Sequence, residues 1–419
     1  MMKKVQKLML VTVAVFTFIF LGSVSAVTPD SGSSFQAETA PSLSPAPAVN
    51  PTALVDANSQ FAFAIFKQIN RTEADKNVFI SPLSISTALA MLYQGADNDT
   101  KDEIAQTLNY SEIEITKLNS DYRSLLNHLK NGDSFVELNI GNSVWYDDGF
   151  HVKPDFLKTN QEAFDAEIKG LDFTKADAAD TINLWISNVT QGMIDKMVDP
   201  PLTGVMYLIN AIYFKGAWTN PFDPNLTQKS TFKTESGKTN PVDMMYSNTA
   251  ADFGKGTDYS AIRLPYGKQQ ISMYCVLPAE GLAIDNFISG LTVDKFNEIK
   301  RSLSARSFFD VKLPKFKMAY GAKSLKTVLN RLGMNKAFNF GQADFSGISN
   351  EPLWVDDVLH KAVIDVNEEG TTAAATTIII MPTATMDRFL ANRPFLFFIV
   401  DDATGSILFM GKAADLAEY

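Results

Sequence analysis

"EEGTTAAATTIIIMPTATM", Glu368 to Met386, carries two specifications at once. Gly370 to Thr377 is glycine, threonine and alanine, with no side chain large enough to anchor a core. Ile378 to Met381 is apolar and mostly β-branched, and small residues return after Pro382. The first half suits an exposed loop, the second a buried strand. The two halves of one segment thus ask for different environments.

The rest of the chain narrows the setting. It has 419 residues, 37 Lys+Arg against 47 Asp+Glu, and a net charge of -10. That acidity argues against nucleic acid or anionic membrane surfaces as partners. A single cysteine, Cys275, excludes an intrachain disulfide and a cysteine-based zinc site. Lys3, Lys4 and Lys7 precede an apolar run, Leu8 to Leu21, and Val24-Ser25-Ala26 offers a cleavage site. This predicts an export signal over 1–26 and a secreted, extracellular protein. The alternative is an uncleaved anchor, although a membrane span needs about 20 residues. Residues 27–52, rich in Pro, Ser, Ala and Thr, read as a disordered tether. No linker interrupts 53–419, which reads as one domain.

The coarse pattern is α+β. "LVDANSQFAFAIFKQINR", "SPLSISTALAMLYQGA" and "DTKDEIAQTLN" read as helices, the second opened by Ser-Pro and closed at Gly95. "VELNIGNSVWYDD", "ISMYCVLP", "FDVKLPKFKMAY" and "LWVDDVLHKAVIDVNEE" read as strands. "VMYLINAIYFKGAW" lacks polar alternation and reads as a central strand buried on both faces. "FLFFIVDDATGSILFMGKA" reads as a hairpin turning at Asp402 to Gly405.

Catalytic candidates are few. No Gly-x-Ser-x-Gly elbow accompanies His128, His151 or His360. His128 and His151 read as solvated, and His360 as a hydrogen-bonded core residue. The acids of "DNDTKDE" lack a calcium loop's glycine and closing glutamate, and read as a helix start. Lys117, Arg123 and Lys130 are too spread to form a polyanion site. Asn-x-Ser/Thr triplets occur at Asn70, Asn98, Asn109, Asn188 and Asn225. Neither cofactor nor metal is called for.

Four blocks, in order, resemble the serpin family of protease inhibitors: "NVFISPLSISTALAMLYQGADNDTKDEIAQTL", "LINAIYFKGAWTNPFDP", "HKAVIDVNEEGTTAAAT" and "FLANRPFLFFIVDDATGSILFMGK". The resemblance implies a fold of three β-sheets and eight or nine helices, with a reactive-centre loop near 368–390. It implies a metastable, monomeric suicide substrate of serine proteases. The loop is cut, forms an acyl-enzyme and inserts into the main sheet as an added strand. Glu368, Glu369, Gly370, Thr371, Thr372, Ala373, Ala374 and Ala375 match the hinge. Ser81, Ser84, Asn210 and His360 match the shutter beneath the sheet, and Trp218 matches the breach.

Counting from the hinge puts the cut at Ala384–Thr385; counting back from "RPFLFF" gives Thr383–Ala384. Either places a small residue before the cut, which implies elastase-like or subtilisin-like targets. Thr371, Ala373, Ala375, Thr377, Ile379 and Met381 would face inward after insertion, the first four small enough to enter easily. Burial of Ile379 and Met381 would add a few kcal/mol at ~25 cal/mol per Å2. The same fold used as a non-inhibitory binding or storage module is the alternative. An extracellular hydrolase would need a nucleophile–histidine pair that the sequence does not offer.

Overall fold

The computed structural model describes residues 51–370 and 388–417. The expected export signal, tether residues 27–50, hinge positions Thr371 to Ala375 and both versions of the reactive bond lie outside the described residues.

Nine α-helices occur among the described residues. The first four are α1 (Thr52–Asn70), α2 (Pro82–Tyr93), α3 (Asn98–Leu108) and α4 (Ile115–Lys130). The others are α5 (Pro154–Phe164), α6 (Ala178–Val189), α7 (Ile284–Ser289), α8 (Val293–Ser302) and α9 (Lys326–Arg331). Helix α2 begins where its sequence says it should. Ser81 is the N-cap, its hydroxyl accepting from the Ser84 N–H at 3.2 Å, and Pro82 fills the first turn. Helix α3 starts at the capping carboxylate of Asp97 and ends on left-handed Asn109. The acidic run there is therefore a helix start. None of the described helices is long and apolar enough to cross a membrane.

The strands are β1 (Val78–Ile80), β2 (Val136–Asp147), β3 (Ala166–Leu171), β4 (Met206–Gly216) and β5 (Gln228–Lys233). Next come β6 (Thr239–Lys255), β7 (Tyr259–Tyr266), β8 (Ile271–Pro278), β9 (Ser304–Pro314) and β10 (Phe316–Ser324). The chain closes with β11 (Leu359–Val366), β12 (Arg388–Leu390), β13 (Phe395–Asp401) and β14 (Ile407–Ala413). They form three sheets among the described residues. One has nine strands, ordered β1-β14-β13-β8-β7-β6-β9-β12 with β5 on β6; the others are β3-β2-β4 and β10-β11. Strands β8, β13 and β14 are buried throughout, so the continuous apolar runs that encode them need no alternation. The predicted hairpin is β13–β14, with Gly405 at φ +80° in its turn.

Three readings need correction. Strand β4 is buried on both faces only over Ile209–Ile212, and it is not central: among the described residues it pairs with β2 alone. Helix α6 covers one face there, Ile209 and Ala211 joining its cluster, while Ile212 joins the main core. "FDVKLPKFKMAY" is two strands in different sheets, β9 and β10, parted at Lys315. "LWVDDVLHKAVIDVNEE" carries no strand before Leu359, although Val355 bonds to Ala337 and Val358 to Leu325, and only Leu359–Val366 is strand.

Candidate functional site

Strands β4 and β11 are the facing edges of the two smaller sheets. They run in the same direction. Their N-terminal halves line one cavity of about 370 Å3, and the segments after their C-terminal ends are joined by hydrogen bonds. Between those ends, among the described residues, β4 is paired only to β2 and β11 only to β10.

The join is built from the residues that follow each strand. The Trp218 N–H donates to the Glu369 carbonyl at 3.1 Å, and the Phe222 N–H to that of Glu368 at 2.9 Å. The Trp218 indole N–H donates to the Asn367 carbonyl at 3.0 Å. Its ring is buried, stacked on Tyr266 at 4.3 Å and edge-on to Phe222. Glu368 is buried as well. It accepts from the Thr227 hydroxyl at 2.6 Å and pairs with the Lys315 ammonium at 3.0 Å. Burial alone would raise its carboxyl, but the Thr227 and Lys315 bonds outweigh it and hold the group below the ordinary range. At Gly370 the chain turns back, φ +89°, in an antiparallel bridge with Asn367. A Cβ there would lie 2.3 Å from the Trp218 nitrogen and 2.5 Å from the Gly216 oxygen, so only glycine fits.

Below the join sits a polar layer. The Ser81 N–H donates to His360 Nε2 at 3.2 Å, and the Ser81 hydroxyl to the Leu408 carbonyl at 2.7 Å. Burial pushes the His360 imidazole down to about 4, so it is neutral and can accept. The Asn210 amide donates to Asn142 Oδ1 at 2.5 Å, and the Asn142 amide to the Phe164 carbonyl at 2.6 Å. Ser84, Asn210 and His360 all line the cavity between the strands. The buried Asn210 Oδ1 has no hydrogen-bond partner among the described residues.

Residues 56–416 match the family described as "Serpin (serine protease inhibitor)". The chain belongs to the serpin family. An uncharacterized serpin-like protein of Methanosarcina mazei is 36% identical over 382 residues, 87% of this chain and 88% of that protein. Leukocyte elastase inhibitor of Xenopus tropicalis is 35% identical over 375 residues, 86% of this chain and 98% of that protein. The native-state crystal structure of the thermophilic serpin tengpin matches with TM-score 0.77 and 32% identity, over 86% of this chain and 94% of that one. The expected serpin fold, with nine helices and three sheets among the described residues, is therefore the observed one.

In this serpin the expected shutter residues form two separate groups among the described residues. Ser81, Ser84 and His360 make one group, and Asn210 belongs to another with Asn142. Asn142 was missed by the sequence reading. Sequence offered little to single it out from Asn139 in the same strand; it lies directly opposite Asn210 in the β2–β4 register. Trp218, Glu368, Glu369 and Gly370 do come together. Thr227 and Lys315, the partners of Glu368, carried no signal, since each is an ordinary polar residue until the fold brings it in. His128 is not solvated as expected: it is largely buried and bonded to Asp401 at 3.1 Å. His151 is exposed. On α4, Lys117 pairs with Asp121 and Lys130 with Asp165.

Proposed function

We propose that this serpin is a secreted, monomeric inhibitor of serine proteases with elastase-like or subtilisin-like preference, acting as a suicide substrate. The protease serine hydroxyl attacks the Ala384 carbonyl. The Ala384–Thr385 bond breaks, the Thr385 nitrogen leaves protonated, and an ester joins Ala384 to the enzyme. The freed loop then inserts before water can hydrolyse that ester.

The observation that carries this reading is the pair of parallel edges, β4 and β11, tied at one end by the Gly370 turn. A chain running back from that turn is antiparallel to both edges and can pair with them as an added strand. The small side chains from Thr371 to Thr377 support it, as does the protease inhibitor named among the relatives. The export-type N-terminus supports secretion. Mixing with subtilisin or an elastase should give a band near the summed masses that survives boiling in detergent. Mass spectrometry should find a released peptide beginning at Thr385. Cleavage without that band would favour the non-inhibitory alternative, and a peptide beginning at Ala384 would favour the shorter register.

A further inference from the structure

The strand that follows the loop lies at the end of the nine-stranded sheet, beside β9. Strand β12 runs parallel to β9 with Arg388 opposite Asp310, Phe389 opposite Val311 and Leu390 opposite Lys312. Phe389 and Val311 are buried, so Arg388 and Asp310 point outward. Phe309 is buried, whereas Phe308 beside it is 56% exposed. A register shift against β6 interrupts β9 between Arg306 and Phe309, and Arg306 is exposed on its far side. Asp310 is held in place by the Tyr246 hydroxyl at 2.9 Å and the Asn248 amide at 2.5 Å. Lys312 lies over the Tyr246 ring at 5.6 Å. Arg306 and Arg388 are exposed and ion-paired to no described residue. On a chain of net charge -10, this is an exposed aromatic ring with an exposed arginine on either side, the nearby Asp310 carboxylate being already taken up by Tyr246 and Asn248.

Its position supplies the partner. The Ala384–Thr385 bond lies three residues before Arg388, at most about 10 Å of chain. Phe308 is one strand across and two residues along from Arg388, which adds about 10 Å. A globular protease of some 230 residues has a radius of gyration of about 17 Å. Held at the reactive bond, its surface beside the cleft reaches this face.

We propose that Phe308, flanked by Arg306 and Arg388, is a secondary docking site for the protease, and that it favours enzymes with carboxylates around the cleft. This rests on the inhibitor reading for the identity of the partner. The aromatic ring gives buried contact area and the cations steer the approach, so the site acts on association rather than on trapping.

The test follows the first cut of the loop by subtilisin and by subtilisin whose lysines are succinylated to carboxylates. Rates are normalised to each enzyme's hydrolysis of a short peptide. The wild type should favour the succinylated enzyme, more so at low salt. The double variant Arg306→Glu, Arg388→Glu should lose that preference, about tenfold in rate. Phe308→Ala should slow both enzymes several-fold at unchanged thermal stability. Rates and salt dependence within about twofold of wild type in both variants would overturn the proposal. The first cut is measured whether or not a covalent complex survives, so a protein that is cut but never traps refutes the inhibitor reading alone.

Discussion

His360 shows how one buried side chain writes a pH dependence into the native state. Its pKa is pushed down to about 4 by burial, against about 6.5 in an unfolded chain. Between those values the unfolded chain takes up a proton that the folded one refuses. Stability therefore falls as pH falls from 6.5 to 4, by roughly 3 kcal/mol in all. His128 has the opposite sign. Its hydrogen bond to Asp401 raises its pKa, so its contribution is full below about 6.5 and fades as pH rises through the folded value. Glu368, held below its ordinary value, stabilises above the carboxylate range and is lost beneath it. In urea titrations His360→Gln should flatten the loss of stability between about pH 6.5 and pH 4.5. A wild-type slope in that variant would show that another group carries it.

At the scale of elements, the turn after β11 is fixed by contact with the end of β4. Gly370 supplies a positive φ and leaves room for the Trp218 nitrogen and the Gly216 oxygen, both backbone atoms that cannot swing aside. Gly370→Ala should therefore expel the turn from between the strands and destabilise the native state by about 1–3 kcal/mol. Trp218 fluorescence should shift to the red as the indole loses its Asn367 contact. Unchanged stability and unchanged emission would mean that the turn does not hold the join. The same element logic explains the two-strand reading of "FDVKLPKFKMAY". Lys315 pairs with Glu368 where the chain leaves one sheet for another, and a local pattern cannot report a change of sheet.

For the whole molecule, β4 and β11 face each other with no strand between them among the described residues, which leaves the two sheets open to completion. Completing them with a strand adds hydrogen bonds to both edges and buries Ile379 and Met381, a gain of several kcal/mol. Cutting the loop should therefore raise the unfolding temperature, by roughly 5 °C for a chain of this size. Nicking generally loosens a fold, so the sign of the change is diagnostic. Calorimetry before and after limited proteolysis reads it, and an equal or lower temperature after the cut would mean that no strand is added.

The α+β class and the four family blocks were already legible in the residues alone. The residues also marked the loop-then-strand composition of 370–381 and most of the join, including Gly370 and Trp218. These are legible because they rest on local composition, capping chemistry and long contiguous motifs. It took the fold to show that β4 pairs with β2 alone among the described residues and that Asn210 bonds to Asn142, 68 residues away. The fold alone joined His128 to Asp401 and set the buried Lys412 against Asp285. Each of these joins single polar residues across long stretches of chain. A lone amide, histidine or lysine has no periodicity, and its partner is chosen by which strands and helices come to lie together.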